Sequence, residues 1–135
     1  MSDCIYCKII AGEVPSYCIY EDDLFKVLLD IYPSTVGHTL IIPKEHAANI
    51  FELGERQAAA LMPLAKKIAI ALKNLLNCDG MNILQNNGET AGQTINHYHM
   101  HLIPRYKDDG VIMEWAVQNP TPEDFKKILD NIKIL

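Results

Sequence analysis

Five histidines occur in this chain of 135 residues, and three of them take alternate positions in one run, His97-Tyr98-His99-Met100-His101-Leu102-Ile103-Pro104. A β-strand sets residues i, i+2 and i+4 on one face. The spacing predicts three imidazoles projecting together, with Tyr98, Met100 and Leu102 pointing into a core. Sheet stability gives no reason for three imidazoles in a row. Each ring can act as nucleophile, general acid or base, or metal ligand, so the strand reads as part of an active site. A second reactive pair is Cys4-x-x-Cys7. Thiols at that spacing serve either a redox motif or half a metal site, and no flanking βαβ pattern supports the redox reading. Cys18 and Cys78 stand alone and read as packing residues.

The elements that must position these groups follow from periodicity and turn chemistry. Residues Cys4–Gly12 read as a short helical turn or loop. Ser16–Glu21 and Leu24–Asp30 read as strands joined by an acidic turn at Glu21-Asp22-Asp23. The turn-rich Tyr32–Gly37 segment leads into a short buried strand, His38–Pro43. From Glu55 to about Leu76, the residues Leu61, Leu64, Ile68, Leu72 and Leu75 recur at three- and four-residue spacing, which predicts an amphipathic helix. Pro63 should kink that helix or open its second part. Gly80–Gln85 reads as another strand, and the polar loop Asn86–Thr94 feeds the histidine run. Thr121 is placed to cap a C-terminal helix over Pro122–Ile132. Trp115, the one tryptophan, reads first as a packing anchor of the tail, with reach toward the site of a partner subunit as the alternative. Strands, one main helix, more strands and a tail helix indicate an α+β fold with a largely antiparallel sheet.

Bulk properties narrow the function. The length suits a single domain over residues 1–135, with its core at about 3–106 and a tail at 107–135. Hydrophobic residues make up 49%, enough for one core, and the net charge is −5. An acidic chain is poorly suited to bind a nucleic acid polymer, which needs a basic surface. A small phosphorylated ligand remains open to a local pocket of N–H groups and imidazoles. No apolar run reaches the length of a membrane span, and no N-terminal segment has signal-peptide form, so a soluble cytoplasmic protein is expected. In that compartment disulfides are not expected.

The run His97–Leu102 resembles the motif of the histidine triad (HIT) superfamily of nucleotide-binding proteins. The resemblance extends, in order, to Asp30-Ile31, to Gly37-His38-Thr39-Leu40-Ile41-Ile42-Pro43-Lys44, and to Asn86-Asn87-Gly88 through Gly92-Gln93-Thr94. It implies the HIT-like fold, an antiparallel sheet of about five strands with one main helix packed on it and a short C-terminal helix. It also implies a nucleotidyl hydrolase or transferase acting at the α-phosphorus of nucleoside 5′-phosphate derivatives. The substrate would be a purine nucleotide containing AMP, first of all an adenosine phosphoramidate. His99 matches the nucleophile, which would form a nucleotidyl-histidine. His101 matches a donor to a phosphate oxygen, and His38, with His97, groups that orient or relay protons. Gly92, Gln93 and Thr94 would bring donors to the phosphate, with Asn86 near phosphate and ribose. Asp30 matches a carboxylate that accepts from the ribose hydroxyls. Ile5, Tyr6, Ile9, Leu28 and Ile31 match the apolar walls of the base pocket.

The same resemblance gives the cysteines partners. His46 lies in a setting similar to that of a zinc ligand in some members, and His97 would be the fourth ligand beside Cys4 and Cys7. Two cysteines and two histidines suit a closed, structural tetrahedral zinc; no organic cofactor is expected. Whether His97 serves zinc, a proton relay or both stays open in the sequence. A homodimer with joined sheets is implied. The Ile103-Pro104-Arg105 ending is similar to that of the dinucleoside polyphosphate branch, which makes hydrolysis of those compounds the runner-up. Uridylyl transfer between sugar phosphates is a third option, usually found in longer chains. The reading of another class is a non-catalytic nucleotide sensor or partner-binding module, of which a zinc-only structural module is the weaker form.

Overall fold

The structure, a computed structural model, describes residues 3–134. In chain order it contains α1 (Ile5–Ile10), β1 (Cys18–Glu21), β2 (Phe25–Leu29), β3 (Thr39–Pro43), α2 (Glu55–Leu76), β4 (Gly80–Leu84), a single 3-10 turn at Glu89–Ala91, β5 (Met100–Arg105) and α3 (Pro122–Asn131). The strands form one antiparallel sheet in the order β1-β2-β3-β5-β4. This is the α+β architecture expected, with the main helix on one face.

Alternation along the strands sorts the residues between two layers. Phe25 and Val27 of β2, Ile41 of β3, and Met100 and Leu102 of β5 pack with Leu61, Leu64, Ala65, Ile68 and Leu72 of α2. Each such leucine or isoleucine, once buried, contributes about 1.5–3 kcal/mol. The opposite face buries Leu28, Leu40 and Ile42 beneath Tyr6 and Ile9 of α1. That is the face to which His99 and His101 belong, because Met100 and Leu102 are turned to α2.

Three expectations change in detail. The histidine run is extended only in part: β5 begins at Met100, so His97 and His99 sit in the connection that enters the strand. Leu75 is 80% exposed, and Leu76 packs against the core instead. The four-residue step from Leu72 falls about 40° from it and the three-residue step about 60° to the other side; the sheet lies on the Leu76 side. Pro63 neither ends nor restarts α2. It takes an exposed position within one continuous helix, where water can reach the Ala59 carbonyl left without its helical donor.

After β5 the chain closes a turn on Arg105. Its guanidinium grips Asp109 through Nε (2.8 Å) and Nη2 (3.0 Å), and it donates to the Val111 carbonyl. Thr121 caps α3 in a capping box with Asp124. No residue of α3 is buried, and Phe125, Ile128, Leu129 and Ile132 leave an apolar stripe open. Trp115 is 76% exposed, so the packing expected of it is not made among the described residues. Cys18, expected to pack, is also exposed. Among the described residues no helix is long and apolar enough to cross a membrane.

Candidate active site and metal cluster

The triad histidines are set by main-chain hydrogen bonds, and those bonds fix which nitrogen of each ring carries hydrogen. Nδ1 of His99 lies 2.7 Å from the carbonyl oxygen of His97. A carbonyl can only accept, so Nδ1 holds the hydrogen and Nε2 keeps a lone pair. His38 Nδ1 accepts from the backbone N–H of Ser34 at 3.0 Å, so its hydrogen is on Nε2. That Nε2–H donates to His101 Nδ1 at 2.9 Å. His101 therefore keeps its own hydrogen on Nε2, the end left free. One ring thus offers a lone pair and its neighbour, 4.9 Å away between centroids, offers an N–H.

Electrostatics keep these rings neutral. Burial holds His38, His97 and His99 below the ordinary histidine range, although Asp30 pulls against it at His38 and His99. His101 is pushed down to about 4, by burial first and then by His99 and His38. A neutral imidazole is what nucleophilic attack needs.

A cavity of about 390 Å³ opens in front of His99 and His101. Ile5, Tyr6, Ile9, Leu28, Asp30, Ile31 and Thr94, all named from the triad resemblance, lie along its lining. Its lining also includes Val14, Pro15, Ser16, Leu29, Tyr32, Leu40 and Ile95, which sequence reasoning missed. Leu40 could have been found, since it alternates with His38 and Ile42 along β3. The segment at 14–16 carries no such period. Asp30 Oδ1 accepts from the Tyr32 N–H at 2.9 Å, an ordinary turn role, while Oδ2 lies 3.6 Å from His38 Nε2.

Asn86, Gly92 and Gln93 are brought near but do not line the cavity. Asn86 reaches the Gly92 carbonyl at 3.4 Å. Gly92 has φ +96°, a left-handed conformation that glycine alone adopts freely. Gln93 is buried with its whole amide engaged: Oε1 accepts from Gly88 N–H, and Nε2 donates to the carbonyls of Ala48 and Ile95. Expected to donate to phosphate, its side chain instead staples the loop that presents Thr94.

His97, fully buried, faces away from the cavity. Its Nε2–H donates to the Pro43 carbonyl at 2.8 Å, which leaves a lone pair on Nδ1. That atom lies 3.3 Å from Cys4 Sγ, 3.6 Å from Cys7 Sγ and 3.0 Å from His46 Nδ1. His46 Nδ1 is 3.3 Å from Cys7 Sγ, and all four candidate ligand atoms fall within 4.8 Å of one another. Tetrahedral bonds of about 2.0–2.3 Å place ligand atoms about 3.3–3.8 Å apart. The donor set, its spacing and the tautomer of His97 fit zinc. Nε2 of His97 is thus held by a main-chain carbonyl while Nδ1 faces the cysteines and His46. Asp30, His38 and His101 also converge within 4.8 Å. There the hydrogen on His38 Nε2 removes the lone pair that a cation would require.

The HIT domain family matches residues 11–108. The chain belongs to the HIT family. This HIT protein is 45% identical over 133 residues to Protein hit of Bacillus subtilis, covering 96% of this chain and 92% of the relative. It is 38% identical over 130 residues to adenosine 5′-monophosphoramidase hnt1 of Schizosaccharomyces pombe, covering 96% and 95%. Among solved structures, a HIT family protein from Bacillus anthracis superposes with TM-score 0.88 at 43% identity, covering 95% of this HIT protein and 93% of that chain. A zinc-bound histidine triad family protein from Mycobacterium smegmatis superposes with TM-score 0.78 at 36% identity, covering 95% and 91%.

Proposed function

We propose that this HIT protein hydrolyses adenosine 5′-phosphate derivatives, phosphoramidates first, through a nucleotidyl-His99 intermediate. The observation that carries the reading is the lone pair held on His99 Nε2 at the cavity wall, with the Nε2–H of His101 beside it. Nε2 attacks the α-phosphorus, a P–N bond to the enzyme forms, and the bond to the leaving amine breaks. Water then attacks the same phosphorus and releases AMP and the free imidazole. Splitting one displacement into two is the gain of covalent catalysis. His101 donates to a phosphoryl oxygen as charge builds there. Asp30 accepts from the ribose hydroxyls, and the apolar walls bury the base. The phosphoramidase name of the fission yeast relative supports this choice of substrate class.

Zinc at Cys4, Cys7, His46 and His97 belongs to the same reading as a structural ion. Four protein ligands leave no open position for water or substrate, so no step passes through it.

The test is turnover of an adenosine phosphoramidate and a diadenosine polyphosphate by wild type and His99→Ala, with intact-protein mass spectra taken during the reaction. AMP release by wild type, an adduct of AMP mass, and a rate at least about 10³-fold lower in the variant are expected. Nucleotide binding without turnover would overturn the hydrolase reading, and a faster rate on the dinucleotide would move the substrate class.

A further inference from the structure

Tyr6 combines two features that an apolar wall does not need together. Its ring is buried, 7% exposed, and stands edge-on to the rings of His97 (centroids 5.8 Å, 89°) and His99 (5.1 Å, 68°). A phenylalanine would supply those contacts equally well. The hydroxyl is the surplus. Among the described residues it has no hydrogen-bond partner, and no fully buried side-chain polar atom there is left unpaired. The hydroxyl is therefore reached by solvent, on a side chain that lines the cavity. The other hydroxyls of that lining, on Ser16, Tyr32 and Thr94, are all more open to solvent.

The Tyr6 phenol, like any tyrosine hydroxyl, carries a hydrogen to donate. At neutral pH it is a donor. In the open cavity the hydroxyl is left to water, whose place an acceptor on a ligand can take. Asp30 faces the same cavity with the opposite capacity, since a carboxylate can only accept. A sugar hydroxyl both donates and accepts, so a carboxylate alone satisfies half of it.

We propose that the Tyr6 hydroxyl is a specificity group, donating to a ribose hydroxyl oxygen of the bound nucleotide while Asp30 accepts from the diol. The proposal rests on the nucleotide-binding reading above. It makes ribose, rather than the base, the part of the ligand read by a complete donor–acceptor pair.

The experiment is calorimetric titration of wild type and Tyr6→Phe with AMP, 2′-deoxy-AMP and 3′-deoxy-AMP. Removing an unpartnered hydroxyl leaves the ring packing intact, so equal thermal midpoints are expected for the two proteins. Tyr6→Phe should bind AMP about 5-fold more weakly. Its affinity for the deoxynucleotide that lacks the contacted oxygen should match that of wild type. Such non-additivity is the mark of a direct contact, and a purely structural role for Tyr6 would not produce it. Equal losses on all three ligands, or none on AMP, would overturn the proposal and leave the nucleotide reading standing. Wild type that fails to bind AMP would overturn both.

Discussion

His99 and His101 share a cause of neutrality and differ in task. Burial lowers both, while hydrogen bonds from opposite directions give one a lone pair and the other an N–H toward the cavity. The cost appears as pH dependence. An unfolded histidine titrates near 6.5, whereas His101 in the fold does so at about 4. Above about 6.5 neither state binds the proton. Between 6.5 and 4 the unfolded chain takes up a proton that the folded one refuses, so stability falls as pH falls. Asp109, held well below the carboxylate range by Arg105, loses its contribution only at lower pH. Denaturant midpoints should be level between pH 8 and 7 and drop from 6.5 to 4; a level profile down to 4.5 would contradict the buried neutral ring.

Among the elements, α1 has the greatest leverage for its size. Six residues carry Ile5, Tyr6 and Ile9 to the cavity, and the helix is tied down by Cys4 and Cys7. The same cluster reaches His46 in the segment after β3 and His97 in the entry to β5. Zinc there should join three segments of the chain. Chelation of the purified protein is expected to lower its thermal midpoint on the order of 10 °C, with about one zinc lost per chain by metal analysis. Protein that holds no zinc, or an unchanged midpoint after its loss, would refute the structural ion. The extents of α2 and α3 and of β1 to β4 were legible to within a residue or two because apolar periods and caps are local signals. The triad was legible as a face but not as a strand. Alternation reports where side chains point, and not where the ladder of hydrogen bonds begins. Gln93 was misread for a related reason, since a buried amide and an exposed donor look alike in sequence.

The molecule as a whole leaves an unbalanced surface. The stripe Phe125, Ile128, Leu129 and Ile132, with Trp115 beyond it, finds no cover among the described residues, and β4 lies at one edge of the sheet. The homodimer implied by the triad resemblance would supply that cover. Light scattering should give twice the chain mass, and a monomer at micromolar concentration would count against it. Elsewhere the fold fixes chemistry without side chains. The hydrogens on His99 and His38 are positioned by a peptide carbonyl and a peptide N–H, at His97 and Ser34. No side-chain exchange deletes a peptide group, and proline alone removes an N–H. A saturation library would therefore see position 34 as permissive to every residue but one, and its silence there would hide a component of the reaction centre that is inherited with the backbone path.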